Sequence, residues 1–202
     1  MRTTARIRQV AGGECLARAG DPSSHWYGLL HGVLQMYVLG ADGGETTLFC
    51  MRQGEWGGDG SLLKYEPMQY ELRALTPSLV CLIPKQTFDR LRQESIAFNC
   101  CLCDIMNQRM GAFVGMLAAT RLLGPDIRVA RALMMVTRRH DTGHEALSIA
   151  QHELALIAGL SRQRVNQAIG ALRRQGVVLS GARSPQLVVD QERLRLYLAG
   201  AS

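Results

Sequence analysis

Residues Gln151–Gly170, QHELALIAGLSRQRVNQAIG, hold two short amphipathic segments joined by a Gly-Leu-Ser turn, and their spacing decides how the C-terminal part of the chain folds. Leu154, Ala158, Leu160, Val165 and Ala168 fall where two crossing helices share a buried seam, and Ala155 is small enough for close approach. Gly159 stands where the turn calls for positive φ. Ser161 offers its hydroxyl to the free amides of the next helix, a cap worth about 1 kcal/mol, so the second helix is expected to start there. Val165, Ile169 and Leu172 then recur at i, i+4, i+7 as a buried stripe, which leaves Arg162, Gln163, Asn166 and Gln167 on the opposite face.

That opposite face has the chemistry to read bases. Arg can hold guanine through two major-groove acceptors, and Gln or Asn can hold adenine through one acceptor and one donor, each pair giving about 1–3 kcal/mol of discrimination. Any one of these residues is ordinary on a surface hairpin. Turn glycine, cap, seam and guanidinium-amide face together point to a helix-turn-helix that enters the DNA major groove, with Ser161, Arg162, Gln163, Arg164, Asn166 and Gln167 as the candidate contacts.

The flanks fit this reading. Downstream, Gly176 is followed by VVLSGARSPQLVVD, two short β-segments around a turn, the form of a wing with Arg183 at its tip as a candidate phosphate contact. Upstream, Asp126 to Arg139 is helical in pattern through Val129, Leu133 and Val136, and a polar loop is expected between it and the motif. Charge is uneven along the chain. From Pro125 onward there are 11 Arg against 6 acidic residues, an excess of +5 out of the total of +6, so the positive charge sits where it can neutralise phosphates.

The first half reads differently. Cys15–Ala17, Trp26–His31, Val33–Leu39, Glu45–Met51, Tyr70–Ala74 and Leu79–Pro84 are expected as short strands, punctuated by Gly12-Gly13, Gly20-Asp21-Pro22, Asp42-Gly43-Gly44 and Gly57-Gly58. Closely spaced short strands imply a β-roll or barrel. After Lys85 a short helix is expected over Thr87–Gln93, followed by a proline-free run from Ser95 to Leu123. Leu102, Met106, Phe113 and Met116 recur there near a heptad seam, with Gly111, Ala112, Gly115 and Ala119 allowing close approach of a second helix. A long exposed seam needs a partner, so this is expected to be a dimer helix. Gly124-Pro125 ends it. The fold class expected is α+β: a jelly-roll-like double-stranded β-helix over residues 1–94, a dimerisation helix over 95–123 and a winged helix-turn-helix over 125–202.

The chain has no run of 18 apolar residues, and MRTTARIRQVAGGE lacks the apolar stretch of a secretory signal, so a cytoplasmic location without membrane association is expected. The six cysteines are then reduced thiols. Cys100, Cys101 and Cys103 lack zinc-ligand spacing and read as small apolar residues near a helix start, with a thiol sensor as the other reading.

The order of β-roll, long helix, hinge and winged helix-turn-helix, with GLSRQRVNQAIGALRRQGVV near the end, resembles the Crp/Fnr family of bacterial transcription regulators. AGGECLARAGDPSSHWYGLLHGVLQMYV is similar to the family's opening strands. The resemblance covers almost the whole chain and implies a homodimer on double-stranded DNA, with RNA polymerase as a further partner. It also implies that Arg162, Gln163 and Gln167 read base edges. The effector region departs from the family's cyclic-nucleotide binders. Gly58-Asp59 stands in for the acidic residue that holds ribose, but Met68-Gln69-Tyr70 occupies the place of the phosphate-binding Arg-Ser, and no Arg or Lys lies between Lys64 and Arg73. A buried phosphate there would lack charge-assisted hydrogen bonds, so cyclic AMP is not expected.

The base-contact positions implied by the resemblance fall near Phe113 and Val114, both apolar. An iron-sulfur cluster would need more N-terminal cysteines than Cys15, and a haem would need His25 or His31 as axial ligand; no cofactor is expected. What the resemblance leaves is a degenerate or repurposed effector pocket at Met51, Asp59, Ser61, Leu62, Met68, Gln69, Tyr70, Arg73, Phe113 and Val114. Two rival classes bear on the same residues. One is a small-molecule or redox sensor whose helix-turn-helix serves protein interaction; the other, an enzyme, has no nucleophile triad, phosphate loop or paired-carboxylate spacing behind it.

Overall fold

Alternation of core and solvent positions in the first 84 residues builds two antiparallel sheets that face each other as a roll. The computed structural model describes residues 5–137, 143–147, 149–179 and 186–200. Its strands are β1 (Arg6–Val10), β2 (Cys15–Ala17), β3 (His25–His31), β4 (Leu34–Leu39), β5 (Glu45–Met51) and β6 (Trp56–Gly57), then, after helix α1 (Asp59–Lys64), β7 (Glu71–Ala74) and β8 (Ser78–Pro84). One sheet runs β1-β8-β3-β6 and the other β2-β7-β4-β5. Val10, Leu29, Leu34, Met36, Leu72, Ala74 and Val80 are buried between them.

Three of these elements were not among the expected ones, each for a local reason. β1 is an edge strand with four of its five residues exposed, so it carries no apolar alternation. β6 has two residues. α1 has six, between Gly58 at φ 89° and Tyr65 at φ 56°, too few for a helical period to register.

Helix α2 (Lys85–Glu94) precedes α3 (Ile96–Leu122), whose start is capped by the Ser95 hydroxyl accepting from the Phe98 N–H at 3.1 Å. α3 is apolar on two faces. One packs on the roll: Leu102 is buried beside Trp26, Leu62 and Phe88, and Phe113 meets Phe49 edge-on with ring centroids 6.1 Å apart. The other face presents Met106, Met110, Val114 and Leu117 at 45%, 61%, 60% and 55% exposure. The expected seam is therefore corrected. Of its four residues only Met106 is exposed, while Leu102, Phe113 and Met116 turn toward the chain's own core, because periodicity alone cannot say which of two apolar faces is covered. Cys100, Cys101 and Cys103 lie near the start of α3, as expected, and all three are exposed.

Beyond Gly124 come α4 (Pro125–Val136), β9 (His144–Leu147), α5 (Gln151–Ala158), α6 (Arg162–Arg174), β10 (Leu187–Asp190) and α7 (Gln191–Ala199). The polar loop expected before the motif contains β9, paired antiparallel with β10 from His144↔Asp190 to Leu147↔Leu187. Val178 bridges Val189, so the described parts of the wing are present as a small antiparallel ribbon. Val129, Leu133, Leu154, Val165, Ile169, Leu172, Val189 and Leu194 form one core.

This unit docks on the outer face of the β2-β7-β4-β5 sheet. Cys50 of β5 joins its core, where burial pushes the thiol pKa up to about 12. Gln35 and Thr47 are buried, hydrogen-bonded to each other at 2.6 Å, and Arg52 Nη1 donates to the Met134 carbonyl of α4 at 3.1 Å. Among the described residues no helix is long and apolar enough to cross a membrane, and no group of three or more His, Cys, Asp or Glu is placed to hold a metal ion.

Candidate nucleic-acid interface and effector region

The turn between α5 and α6 is held from both sides. Gly159 adopts φ 62°, and its N–H closes α5 onto the Ala155 and Leu156 carbonyls. Arg128 of α4 donates to the Ala158 carbonyl at 2.8 Å and the Gly159 carbonyl at 2.7 Å, so a guanidinium occupies the carbonyl end of α5. The Glu153 carboxylate accepts from the Ala150 N–H at 2.8 Å at the other end. Ser161 then caps α6, its hydroxyl accepting from Arg164 N–H at 3.4 Å, a long bond.

α6 divides cleanly. Val165, Ala168, Ile169 and Leu172 are buried, whereas Ser161, Arg162, Gln163, Arg164, Asn166 and Gln167 are all exposed. Among the described residues neither Arg162 nor Arg164 has a carboxylate partner. Two guanidinium groups and three amides are thus brought onto one protruding face, with donors free for phosphate or base edges. Arg183, the wing-tip candidate, lies outside the described residues.

The ten effector candidates are distributed over several surfaces. Met51, Leu62 and Met68 are fully buried inside the roll and against α1, and Ser61 is buried beside them. The Tyr70 hydroxyl accepts from the Gly58 N–H at 3.0 Å; burial, then the charge of Asp59, pushes its pKa up to about 12. Gln69 is exposed and bonds the Pro67 carbonyl. Arg73 faces outward, paired with Glu45 at 2.9 Å and with Gln35, its guanidinium 4.5 Å above the Tyr37 ring. Phe113 packs on Phe49, and Val114 points away from the roll. His25 is half-buried beside Ser24, its pKa lowered by burial and then by Arg6, and His31 is exposed.

Asp59 has a partner that sequence reasoning missed. Arg109 of α3 places Nη1 at 3.0 and 2.9 Å from its two carboxylate oxygens, and Nη2 donates to the Trp56 carbonyl. Both side chains are nearly excluded from water. The signal was available. Arg109 stands on the core-facing stripe of α3 with Leu102, Ile105 and Met116, as its one charge, and a cation on an apolar seam calls for a buried anion.

Residues 7–95 match the cyclic nucleotide-binding domain family, and residues 127–197 match the Crp-like helix-turn-helix domain. The chain belongs to the Crp/Fnr family. Crp/Fnr relatives include the anaerobic regulatory protein of Pasteurella multocida strain Pm70, 20% identical over 178 residues, and the HTH-type transcriptional regulator Cmr of Mycobacterium tuberculosis strain CDC 1551 / Oshkosh, 24% identical over 192 residues. These alignments cover 86% and 95% of this chain but 65% and 76% of the two relatives. The solved structure of FixK2 from Bradyrhizobium japonicum has the same fold, with a TM-score of 0.82, 96% of each chain covered and 19% identity. The Crp/Fnr proteins matched are regulators rather than enzymes.

Proposed function

We propose that this chain is a sequence-specific DNA-binding transcription regulator, working in the cytoplasm as a homodimer on a roughly palindromic operator. The observation that carries the proposal is the exposed, carboxylate-free face of α6, with Arg162, Gln163, Asn166 and Gln167 as base-reading groups and Arg164 toward phosphate. Arg183 is the proposed wing contact. The exposed apolar stripe of α3 supports the homodimer, because Cys103, Met110, Val114 and Leu117 follow the seven, four, three spacing of a coiled-coil seam. A two-fold axis along that seam would set two α6 helices about 34–36 Å apart, one turn of DNA.

The effector region is degenerate in this reading. Asp59 is already neutralised by Arg109, and Leu62, Met51 and Met68 fill the interior, so a ribose and an anionic phosphate have neither a free acid nor a free guanidinium to bind. Selection from a random DNA pool tests the proposal. It should enrich inverted half-sites about 10 base pairs apart, bound with an affinity that falls steeply with salt. No enrichment, with salt-insensitive indifference to DNA at low ionic strength, would overturn it in favour of a protein-interaction role.

A further inference from the structure

Where α3, α4 and the end of α5 meet, a cavity of about 360 Å³ opens against β5, and none of the ten effector candidates considered above lines it. Its size falls in the range of about 300–1,000 Å³ that suits small ligands. Small residues make the space: Ala112, Gly115 and Ala119 form the α3 wall, and a Cβ added to Gly115 would meet no atom within 4 Å. Met116, Met135 and Leu156 supply much of the remaining apolar surface, and methionine walls adapt to irregular shapes.

The polar part is positive. Arg131 lines the cavity and, among the described residues, donates one hydrogen bond, to the Gly115 carbonyl at 3.4 Å, while Arg128 spends its donors on the Ala158 and Gly159 carbonyls. Among the described residues neither has a carboxylate partner. We propose that this cavity binds a small amphipathic monoanion, an apolar body carrying one carboxylate that pairs with Arg131. A guanidinium matches a carboxylate at two points, and an apolar wall beside it strengthens the pair by excluding water. A nucleotide does not suit these walls, which offer hydroxyls from Thr46, Thr47 and Thr120 but no acid for a ribose and no aromatic ring for a base.

Most of the walls belong to α3, α4 and α5, the helices that lead from the roll to the recognition helix α6. Occupancy would therefore bias how the α4-α5-α6 unit sits on α3. That consequence rests on the DNA-binding reading; the binding itself does not.

The full chain titrated calorimetrically with sodium octanoate should show one saturable site per chain, bound about tenfold or more tightly than 1-octanol because the charge-assisted pair is lost in the alcohol. Arg131→Met should abolish that preference, and Arg131→Lys should retain most of it. Gly115→Leu, which fills open space and favours the helix, should remove binding while leaving the circular dichroism spectrum and Tm intact. Equal affinity for octanoate and octanol, no saturation, or unchanged binding to Gly115→Leu would overturn the cavity assignment. Operator affinity measured with and without saturating octanoate separates the two readings. A chain that binds octanoate but no DNA refutes the regulator, whereas one that binds its operator but not octanoate refutes the site.

Discussion

Arg109 and Asp59 join α3 to α1 through one guanidinium nitrogen that lies within 3.0 Å of both carboxylate oxygens, in a position almost closed to solvent. Removing the cation alone leaves a buried anion. Arg109→Met is expected to cost about 3–5 kcal/mol in urea unfolding, and Asp59→Leu in the same chain should recover most of that loss. A single-variant loss below about 1 kcal/mol would mean that water reaches Asp59 after all.

On α6 the two cations are expected to do different work. Arg162→Ala should relax preference at one base pair per half-site by about 1–3 kcal/mol, whereas Arg164→Ala should weaken all DNA sequences evenly and reduce the salt slope by about one. Anisotropy titrations on specific and random duplexes read both effects. Equal losses on both duplexes for Arg162→Ala would reassign that residue to phosphate.

The exposed stripe of α3 allows a covalent test of the proposed dimer. In a parallel pair Cys103 faces its own copy, so mild oxidation with copper-phenanthroline should yield a non-reducing-gel dimer that Cys103→Ser abolishes. Val114→Glu should shift sedimentation toward monomer and lower operator affinity together. Monomeric wild type at micromolar concentration would sink the seam.

Backbone conformation at the turn sets the next expectation. Gly159→Val forces a β-branched residue to φ 62° and drives its Cβ to 2.9 Å from the Arg128 guanidinium, so the strain of about 1–2 kcal/mol should add to the loss of that contact. Ser161→Ala should cost about 0.5 kcal/mol, the low end for a cap, because its bond is long. Thermal melts of the two variants should therefore differ visibly.

Local signals carried much of this architecture. The cap at Ser161, the left-handed Gly159, the Val165-Ile169-Leu172 stripe and the strand Glu45–Met51 are all decided within a few residues, and each was legible. Elements that owe their existence to distant partners were not. His144–Leu147 becomes a strand through pairing with Leu187–Asp190, and α7 has only Gln191 and Leu194 buried, too few to register as a helical stripe. The effector region shows the same division. The lack of a guanidinium near Met68 could be read in the chain, and so could a lone cation on an apolar stripe of α3, but not that its partner is Asp59, 50 positions away.

The docking of Cys50, Val33 and Leu75 into the core of the C-terminal unit has a thermodynamic consequence. Neither half can melt without uncovering apolar surface on the other, so heat or urea should take the protein apart in a single cooperative step. Severing the chain at Gly124 should then yield two fragments that are each less soluble and less stable than the whole.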